Sequence, residues 1–257
     1  MERRERQERQ EYIFGLRAVI EAIESGKSID KVLIRKDLSG DLAKELIAVT
    51  REYDIPVQKV PQERLNRVTM KNHQGAIAMI SPVEYGRLEH LVPLLYEEGK
   101  LPLLMVLDGV TDTRNFGAIA RTSECAGADA LVIPEKGSAS VTPEAVKTSA
   151  GALFYIPVCR EKSTLEAVKF LKENGYKIVG ATEKGKGDYS TADYTVPVAI
   201  VMGSEDTGIS NEVLRQCDEL VAIPILGNIG SLNVSVAAGV MLYEAVRQRL
   251  GSGMNLE

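Results

Sequence analysis

The apolar positions in the later part of the chain form short runs separated by patterns of helical spacing. Runs such as LPLLMVLD, ALVIP, KIVGAT and VAIVMG are typical of strands buried on both faces. Between them, stretches such as TLEAVKFLKENG carry apolar residues three and four positions apart, which predicts amphipathic helices. Alternating strands and helices with short joints indicate a parallel sheet with helices on both faces, and therefore an α/β fold.

The earlier part of the chain shows a separate, smaller α/β pattern. The segment FGLRAVIEAIESG predicts a helix that ends near Gly26, and strand-like runs (KVLIRK, IPVQKV, GAIAMIS) follow it. We therefore expect a small α/β domain that precedes the larger parallel-sheet domain. The predicted boundaries are a charged tail over 1–11, the small domain over 12–82, a connecting segment over 83–100 and the large domain over 101–257.

Composition excludes several classes of protein. A hydrophobic content of 44% and a charged content of 26% are ordinary for a globular chain. No apolar run approaches the roughly 18 residues that a membrane helix needs, and the first ten residues are too charged for a secretory signal. Three separated cysteines and two histidines leave few parts for a zinc site or a Ser-His-Asp triad. We expect a cytoplasmic protein without a metal.

The formal net charge of −5 argues weakly against a nucleic-acid partner. Residues 1–80 are more basic, with 15 Lys and Arg against 13 Asp and Glu, whereas residues 101–257 hold 14 against 19. Only a local basic surface could therefore contact phosphate groups. Charge alone does not predict RNA binding.

Three turns rich in glycine and small polar residues follow predicted strands of the large domain: DGVTDTRNFG (108–117), GSEDTGIS (203–210) and GNIGSLN (227–233). Ligands of parallel sheets bind at the carboxyl ends of the strands, where such turns lie. Neither the dinucleotide pattern G-x-G-x-x-G nor the phosphate-loop pattern occurs. The turns therefore predict a cofactor held by backbone groups, although Ser231 or Asn233 could equally be only a helix N-cap.

Taken together, the segments NFGAIART, VMGSEDTGIS and IPILGNIGSLNVSVAAGVMLYE resemble the three ordered motifs of SpoU-type RNA 2′-O-ribose methyltransferases of the SPOUT superfamily. The segments YIFGLRAVIEAI and NHQGAIA resemble the N-terminal RNA-binding domain of the bacterial enzymes that methylate a guanosine in 23S ribosomal RNA. The tRNA-modifying branch generally lacks that domain. The resemblance implies S-adenosylmethionine as methyl donor, a homodimer and a C-terminal trefoil knot.

The same resemblance implies roles for individual residues. Three residues would contact the cofactor: Gly203, Ile223 and Leu232. Five would act in catalysis: Asn115, Arg121, Glu205, Ser231 and Asn233. Because a guanidinium scarcely loses its proton in a protein, Arg121 is better interpreted as a phosphate clamp than as the base, on a helix that aims it toward the strand ends. The chain departs from the family pattern at Asp206, Thr207 and Arg17.

The predicted reaction is methyl transfer from S-adenosylmethionine to the ribose 2′-hydroxyl of a guanosine in 23S ribosomal RNA. Two alternatives remain open: a methyltransferase that acts on tRNA or another rRNA site, and a non-catalytic RNA-binding protein of the same fold. Four lysines are candidate RNA contacts or ordinary solvated side chains: Lys136, Lys147, Lys184 and Lys186. The expected partners are ribosomal RNA and a second copy of the chain, with no membrane and no metal.

Overall fold

The computed structural model describes residues 11–185 and 187–253. The predicted charged tail, apart from Glu11, and the candidate RNA contact Lys186 lie outside these ranges. The described chain divides into two compact units: the first takes in the chain up to Glu84 together with Val141–Pro143, and the second holds the rest. Each unit has a sheet and a hydrophobic core of its own.

The first unit is a small mixed α/β structure. Its elements are β1 (Tyr12–Phe14), α1 (Leu16–Glu24), β2 (Ile29–Arg35), α2 (Asp41–Glu52), β3 (Val57–Val60), α3 (Gln62–Val68) and β4 (Ala76–Ile80). The strand order is β1-β4-β2-β3. β2 and β3 run parallel, whereas β4 runs antiparallel to both of its neighbours.

The two faces of this sheet are covered by different amounts of structure. One face packs against the apolar stripes of α1 and α2, with Ile23 and Leu46 almost fully buried. The other face carries a smaller cluster, to which the short helix α3 contributes Leu65. Tyr12 and Phe14 lie at the margin of that cluster and stay partly exposed. The second face is therefore the less protected one.

The elements of the rest of the chain mostly alternate between strand and helix. They are β5 (Tyr85–Gly86), α4 (Leu88–Glu97), β6 (Leu103–Asp108), α5 (Thr113–Cys125), β7 (Ala130–Pro134), α6 (Pro143–Thr148), a 3₁₀ turn (Ala152–Phe154), β8 (Val158–Glu161), α7 (Thr164–Glu173), β9 (Lys177–Ala181), β10 (Gly187–Asp188), β11 (Val198–Gly203), α8 (Asn211–Leu214), β12 (Glu219–Ala222) and α9 (Val234–Gly251). The exception is that β9, β10 and β11 follow one another without a helix.

These strands form one eight-stranded sheet in the order β10-β12-β9-β11-β6-β7-β8-β5, and every neighbouring pair is parallel. All residues of β11 and β7 are buried, as a sheet covered on both faces requires. Helices α4, α7 and α8 cover one face, and α5 and α9 pack on each other beside the other. The predicted α/β class with a parallel sheet is confirmed.

The last turn of α9 is anchored by a buried arginine. The Arg249 guanidinium donates hydrogen bonds to the carbonyl oxygens of Leu101 (2.7 Å), Tyr194 (2.9 Å), Pro102 (3.1 Å) and Val196 (3.2 Å). Burial lowers the pKa of Arg249, while the charge of Asp129 acts in the opposite direction. These four bonds tie the end of α9 to the segments that precede β6 and β11.

The stretch 83–100 was expected to connect two domains, and the structure shows more than a connection. It contains β5, which pairs with β8, and α4, whose Leu88, Val92 and Leu95 are buried in the core of the second unit. Those three residues follow the spacing of a helical face. In the sequence, Pro93 and the charged flanks concealed this helical pattern.

The apolar run that contains β12 continues over residues 223–226, but the strand does not. β12 ends at Ala222, and the following residues are irregular, with Leu226 97% exposed. Pro224 has no N–H to donate to a neighbouring strand, so an apolar run alone could not extend the sheet here. The chain instead leaves the sheet and enters the turn that precedes α9.

Candidate functional site

A cleft of about 510 Å³ opens at the carboxyl ends of β9, β11 and β12. Three segments and three single residues line it: 181–184, 202–208 and 230–234, with Ile223, Ile225 and Ala237. Because the strands are parallel, their carboxyl ends meet at one edge of the sheet, where ligands of such folds bind. Its volume is within the usual range for small-molecule sites.

The turn after β11 forms one wall of this cleft and is held tightly by backbone hydrogen bonds. The Ser204 N–H donates to the Gly208 carbonyl (3.2 Å), and the Gly208 N–H donates to the Ser204 carbonyl (3.0 Å). A Cβ atom on Gly203 would lie 2.1 Å from the backbone of Gly208 and Ile209. Glycine is therefore required at position 203 by this close approach of two chain segments.

The neighbouring turn after β6 supports the same wall. The Asp108 carboxylate, at the end of β6, accepts a hydrogen bond from the Ser210 N–H (2.7 Å). Asp112 caps α5 and accepts from the N–H groups of Arg114 (2.9 Å) and Asn115 (2.8 Å). Asn115 is thus fixed in the first turn of α5, at the sheet edge where β11 also ends.

Asn233 combines the role of a helix cap with a contact into the site. Its Oδ1 accepts hydrogen bonds from the Ser235 N–H (2.9 Å) and the Ser235 hydroxyl (2.5 Å), which caps α9. With the oxygen committed to the cap, the Nδ2 group donates to Asn115 Oδ1 (3.0 Å) and to Glu205 Oε1 (2.6 Å). Asn233 is therefore the N-cap of α9 and also a hydrogen-bond partner of Asn115 and Glu205.

Three of the predicted site residues form one hydrogen-bonded cluster. Asn115 Nδ2 also donates to Glu205 Oε1 (3.0 Å), so this carboxylate oxygen accepts from two amides. Across the described ranges, no residue donates a hydrogen bond to the other oxygen, Oε2, and the side chain is exposed. The cluster of Asn115, Glu205 and Asn233 therefore presents an ionisable oxygen held in a fixed orientation.

The other predicted residues fall into two groups. Gly203, Ile223, Leu232 and Ser231 all line the cleft, beside Glu205 and Asn233. Arg121 does not: among the described residues it is neither part of the lining nor hydrogen-bonded to the cluster, and it is exposed on α5. Within one chain, Arg121 lies outside the cleft lining, on the part of α5 beyond its first turn, and its role stays a prediction.

Sequence reasoning missed several residues that support the site. Asp112 and Ser235 orient Asn115 and Asn233, and the segment 182–184 forms the wall opposite the β11 turn. The first two had a readable signal, since Asp before a helix and Asn-x-Ser at a helix start are capping patterns. In the part of the chain that the structure describes, no cluster of His, Cys, Asp and Glu could hold a metal ion.

Comparison with known proteins agrees with this geometry. The model of the SpoU rRNA Methylase family matches residues 102–243, and the model for RNA 2′-O ribose methyltransferase substrate binding matches residues 12–86. A Staphylococcus saprophyticus protein assigned to the TrmH family of tRNA/rRNA methyltransferases is 38% identical over 237 residues, which are 92% of this chain and 95% of that one. The chain belongs to the SpoU rRNA methylase family.

Solved structures of this SpoU family share the fold. The SpoU methyltransferase AviRb of Streptomyces viridochromogenes, in complex with AdoMet, is 28% identical, covers 93% of this chain and 90% of its own, and has a TM-score of 0.60. An AdoMet-bound rRNA methyltransferase of Sinorhizobium meliloti is 28% identical, with coverage of 92% and 86% and a TM-score of 0.59. The predicted family and fold class are confirmed.

A tRNA-modifying relative matches less of the chain. The TrmH/SpoU tRNA modifying enzyme of A. aeolicus is 30% identical with a TM-score of 0.55, and it covers 65% of this chain and 86% of its own. The described residues contain no helix that is long and apolar enough to cross a membrane. The trefoil knot and the domain boundaries stay predictions.

Proposed function

We propose that this protein transfers a methyl group from S-adenosylmethionine to the ribose 2′-hydroxyl of a guanosine in 23S ribosomal RNA. Membership of the SpoU family makes it an S-adenosylmethionine-dependent RNA methyltransferase. The observation that carries the proposed chemistry is the cluster of Asn115, Glu205 and Asn233, which adjoins a cleft lined by glycines and backbone. A non-catalytic protein would have no need of this cluster.

The cleft suits S-adenosylmethionine in size and in chemistry. Gly203 and the small residues beside it expose backbone groups, and Ile223 and Leu232 add apolar surface for an adenosine moiety. We assign these three residues to cofactor binding. When bound, the cofactor supplies a methyl group that its sulfonium already activates. The protein then has to align the ribose hydroxyl and remove its proton.

Glu205 is the best placed group to accept that proton. Two amide donors hold its Oε1 atom, which leaves Oε2 directed away from them and open to the ribose hydroxyl. Ser231, which lines the same cleft, would hydrogen-bond the ribose or its phosphate. In this scheme Asn115 and Asn233 position Glu205, which is the base. Arg121 binds an RNA phosphate and does not accept the proton.

The position of Arg121 supports a site shared between two copies of the chain. The Arg121 side chain has no hydrogen-bond or ion-pair partner within the described residues of its own chain. α5 packs against α9, where a Cβ atom added to Gly239 would lie 3.5 Å from Thr122 Cγ2. Along α9, Val236, Tyr243 and Leu250 are each about half exposed and recur every seven residues as one apolar stripe. We propose a homodimer formed over this stripe, which brings Arg121 to the partner's cleft.

Mixing two inactive variants tests the shared site. Suppose that each site of the dimer combines Arg121 of one chain with Glu205 of the other. When Arg121→Lys and Glu205→Gln chains are mixed in equal amounts and refolded together, half of the dimers contain one chain of each variant and carry one intact site. The mixture then regains roughly a quarter of wild-type activity. If both residues serve the same chain's site, every dimer stays inactive. Sedimentation of the wild-type chain as a monomer would contradict the dimer itself.

The whole-chain match to an rRNA methyltransferase favours ribosomal RNA over tRNA. The tRNA-modifying relative covers 65% of this chain, whereas the rRNA enzyme of S. meliloti covers 92%. Mapping ribose methylation in rRNA and tRNA from cells with and without this protein tests the proposal. Loss of one methylated guanosine in 23S rRNA is the expected result, and loss of a tRNA modification instead would overturn the substrate.

A further inference from the structure

The positive charge of the first unit is concentrated in one continuous stretch. Residues 57–75 contain one acidic residue, Glu63, and four basic ones, Lys59, Arg64, Arg67 and Lys71. All five side chains are exposed. Residues 11–56 hold seven Lys and Arg against nine Asp and Glu, so the rest of this unit is slightly acidic. The stretch over β3, α3 and the loop before β4 is therefore the side that attracts an anionic polymer.

Two of these arginines lie on one face of α3. Arg64 and Arg67 are three residues apart in the helix, so their side chains are neighbours. Neither arginine side chain has a hydrogen-bond or ion-pair partner within the described ranges. By contrast, Arg17 is paired with Glu45 at 3.0 Å and Arg35 with Asp37 at 2.7 Å. Arg64 and Arg67 are thus available for phosphate groups without breaking an existing contact.

The loop that follows α3, residues 69–75, has a fixed shape although it is on the surface. His73 is buried: its Nδ1 accepts from the Gly75 N–H (3.0 Å), and its Nε2 lies 3.0 Å from Asn66 Oδ1. Gln74 has a left-handed backbone (φ 53°) and its Oε1 accepts from the Leu16 N–H at 3.1 Å. A non-glycine residue in that conformation is strained, and surface loops that retain such strain are often binding loops.

The exposed part of this loop carries apolar as well as basic groups. Met70 is 84% exposed, although nothing polar in its side chain favours that position. The next residue, Lys71, places its ammonium group 5.7 Å from the centre of the Phe14 ring, and Phe14 itself is only partly buried. The aromatic ring and the ammonium group therefore lie close together at the end of β1, and the exposed Met70 immediately precedes that lysine in the chain.

We propose that the loop surface, defined as Phe14, Met70 and Lys71 with Arg64 and Arg67, binds an unpaired nucleotide of the substrate RNA and the phosphates beside it. The base packs on Phe14 and Met70, and the basic residues hold the backbone. An unpaired base fits better than a duplex, because the bases of A-form RNA are stacked and cannot reach an aromatic side chain. This inference rests on the proposed function, since it assigns the RNA contacts of that enzyme.

Binding of two labelled RNA hairpins to the full-length protein tests the loop surface. One hairpin has a single bulged nucleotide, and the other has the same stem fully paired. Fluorescence anisotropy should show tighter binding of the bulged hairpin by the wild type. Met70→Ala should weaken binding of the bulged hairpin by roughly three- to tenfold and leave the paired one almost unchanged. Lys71→Ala should weaken binding of both hairpins, and it should reduce the salt dependence of the binding constant by about the amount expected for one phosphate contact.

Lys27→Ala is the matched control, because Lys27 is an exposed lysine in the turn after α1, outside residues 57–75. It should bind both hairpins as the wild type does. Calorimetry with adenosylhomocysteine should give one affinity for all variants, which shows that the second unit is intact. If Met70→Ala and Lys71→Ala bind and methylate RNA normally, the loop surface is wrong while the proposed function stands. If the wild type methylates no RNA, both are wrong.

Discussion

The two units bring functional groups together in opposite ways. In the second unit, the Asn115, Glu205 and Asn233 cluster joins residues that are up to 118 positions apart, because parallel strands end at one edge of the sheet. In the first unit, the basic side chains of the loop surface all come from one stretch, residues 57–75, and only Phe14 comes from elsewhere. The site of the second unit therefore depends on the whole sheet, whereas the surface of the first depends mainly on one helix and one loop. Substitutions in the second unit should therefore change turnover, and substitutions in the first unit should change RNA binding.

The largest expected effect is on the carboxylate of the cluster. Glu205→Gln removes the proton acceptor and should lower single-turnover methylation by roughly 10²–10⁴-fold, with cofactor affinity and RNA affinity almost unchanged. Glu212→Gln, an exposed acid on α8, is the control and should stay near wild type. Normal turnover of the Glu205→Gln enzyme would show that Glu205 takes no part in the chemistry, and it would contradict the contrast between the two units.

Next in size is the effect of crowding the β11 turn. Gly203→Ala places a Cβ atom 2.1 Å from backbone atoms of Gly208 and Ile209, which cannot yield as a flexible side chain would. We expect a loss of about 1–3 kcal/mol in unfolding free energy and a clear loss of adenosylhomocysteine affinity. Gly227→Ala is the matched control, because nothing lies within 4 Å of its added Cβ atom. Equal thermal stability of the two variants would contradict the close approach.

A smaller effect should separate the two roles of Asn233. Asn233→Ser keeps a side-chain oxygen that can cap α9 but loses the Nδ2 donor to Asn115 and Glu205, so stability should hold while turnover falls by roughly tenfold or more. Asn233→Ala loses the cap as well and should cost about 1 kcal/mol in unfolding free energy. Denaturant unfolding and single-turnover rates measure the two quantities. Equal stability of both variants would show that the cap is unimportant.

The smallest effect concerns cysteine reactivity, which reports on the second unit alone. Burial raises the pKa of the Cys159 thiol to about 12 and that of the Cys217 thiol to about 11, so neither forms much thiolate near neutral pH. Cys125 is exposed on α5 and should react first with a thiol reagent. Variants of the loop surface should leave this order unchanged. Fast native labelling of Cys159 would mean that the central sheet opens readily.

Much of the second unit could be predicted from the sequence because its signals are local. The strands β6, β7, β9 and β11 are apolar runs, and the turns after β6 and β11 are recognisable by glycine and polar residues. What could not be predicted is the arrangement of side chains around Glu205. It depends on the cap that Asp112 forms on α5, which fixes Asn115, and on the hydrogen bonds from Ser235 that hold the Asn233 amide.

The position of Arg121 could have been anticipated from helix geometry. Six residues separate it from Asn115, which is a rotation of roughly 240° in a helix of 3.6 residues per turn. The two side chains therefore cannot share a face of α5. The loop surface of the first unit was harder to predict from the sequence, because Met70 and Lys71 give no periodic signal. Their exposure and the proximity of Lys71 to Phe14 appear only once the fold is known.

The anchor at Arg249 has a consequence for the time at which this protein becomes active during its synthesis. The residues that Arg249 binds begin at Leu101, 148 positions earlier, and Asn233 completes the cluster with Asn115 from the other end of α9. Apart from Val141–Pro143, the first unit consists of the first third of the chain, so most of it can fold as soon as that part leaves the ribosome. The second unit cannot complete its fold until nearly all of the chain has left the ribosome. A nascent chain could therefore hold RNA well before it could modify it.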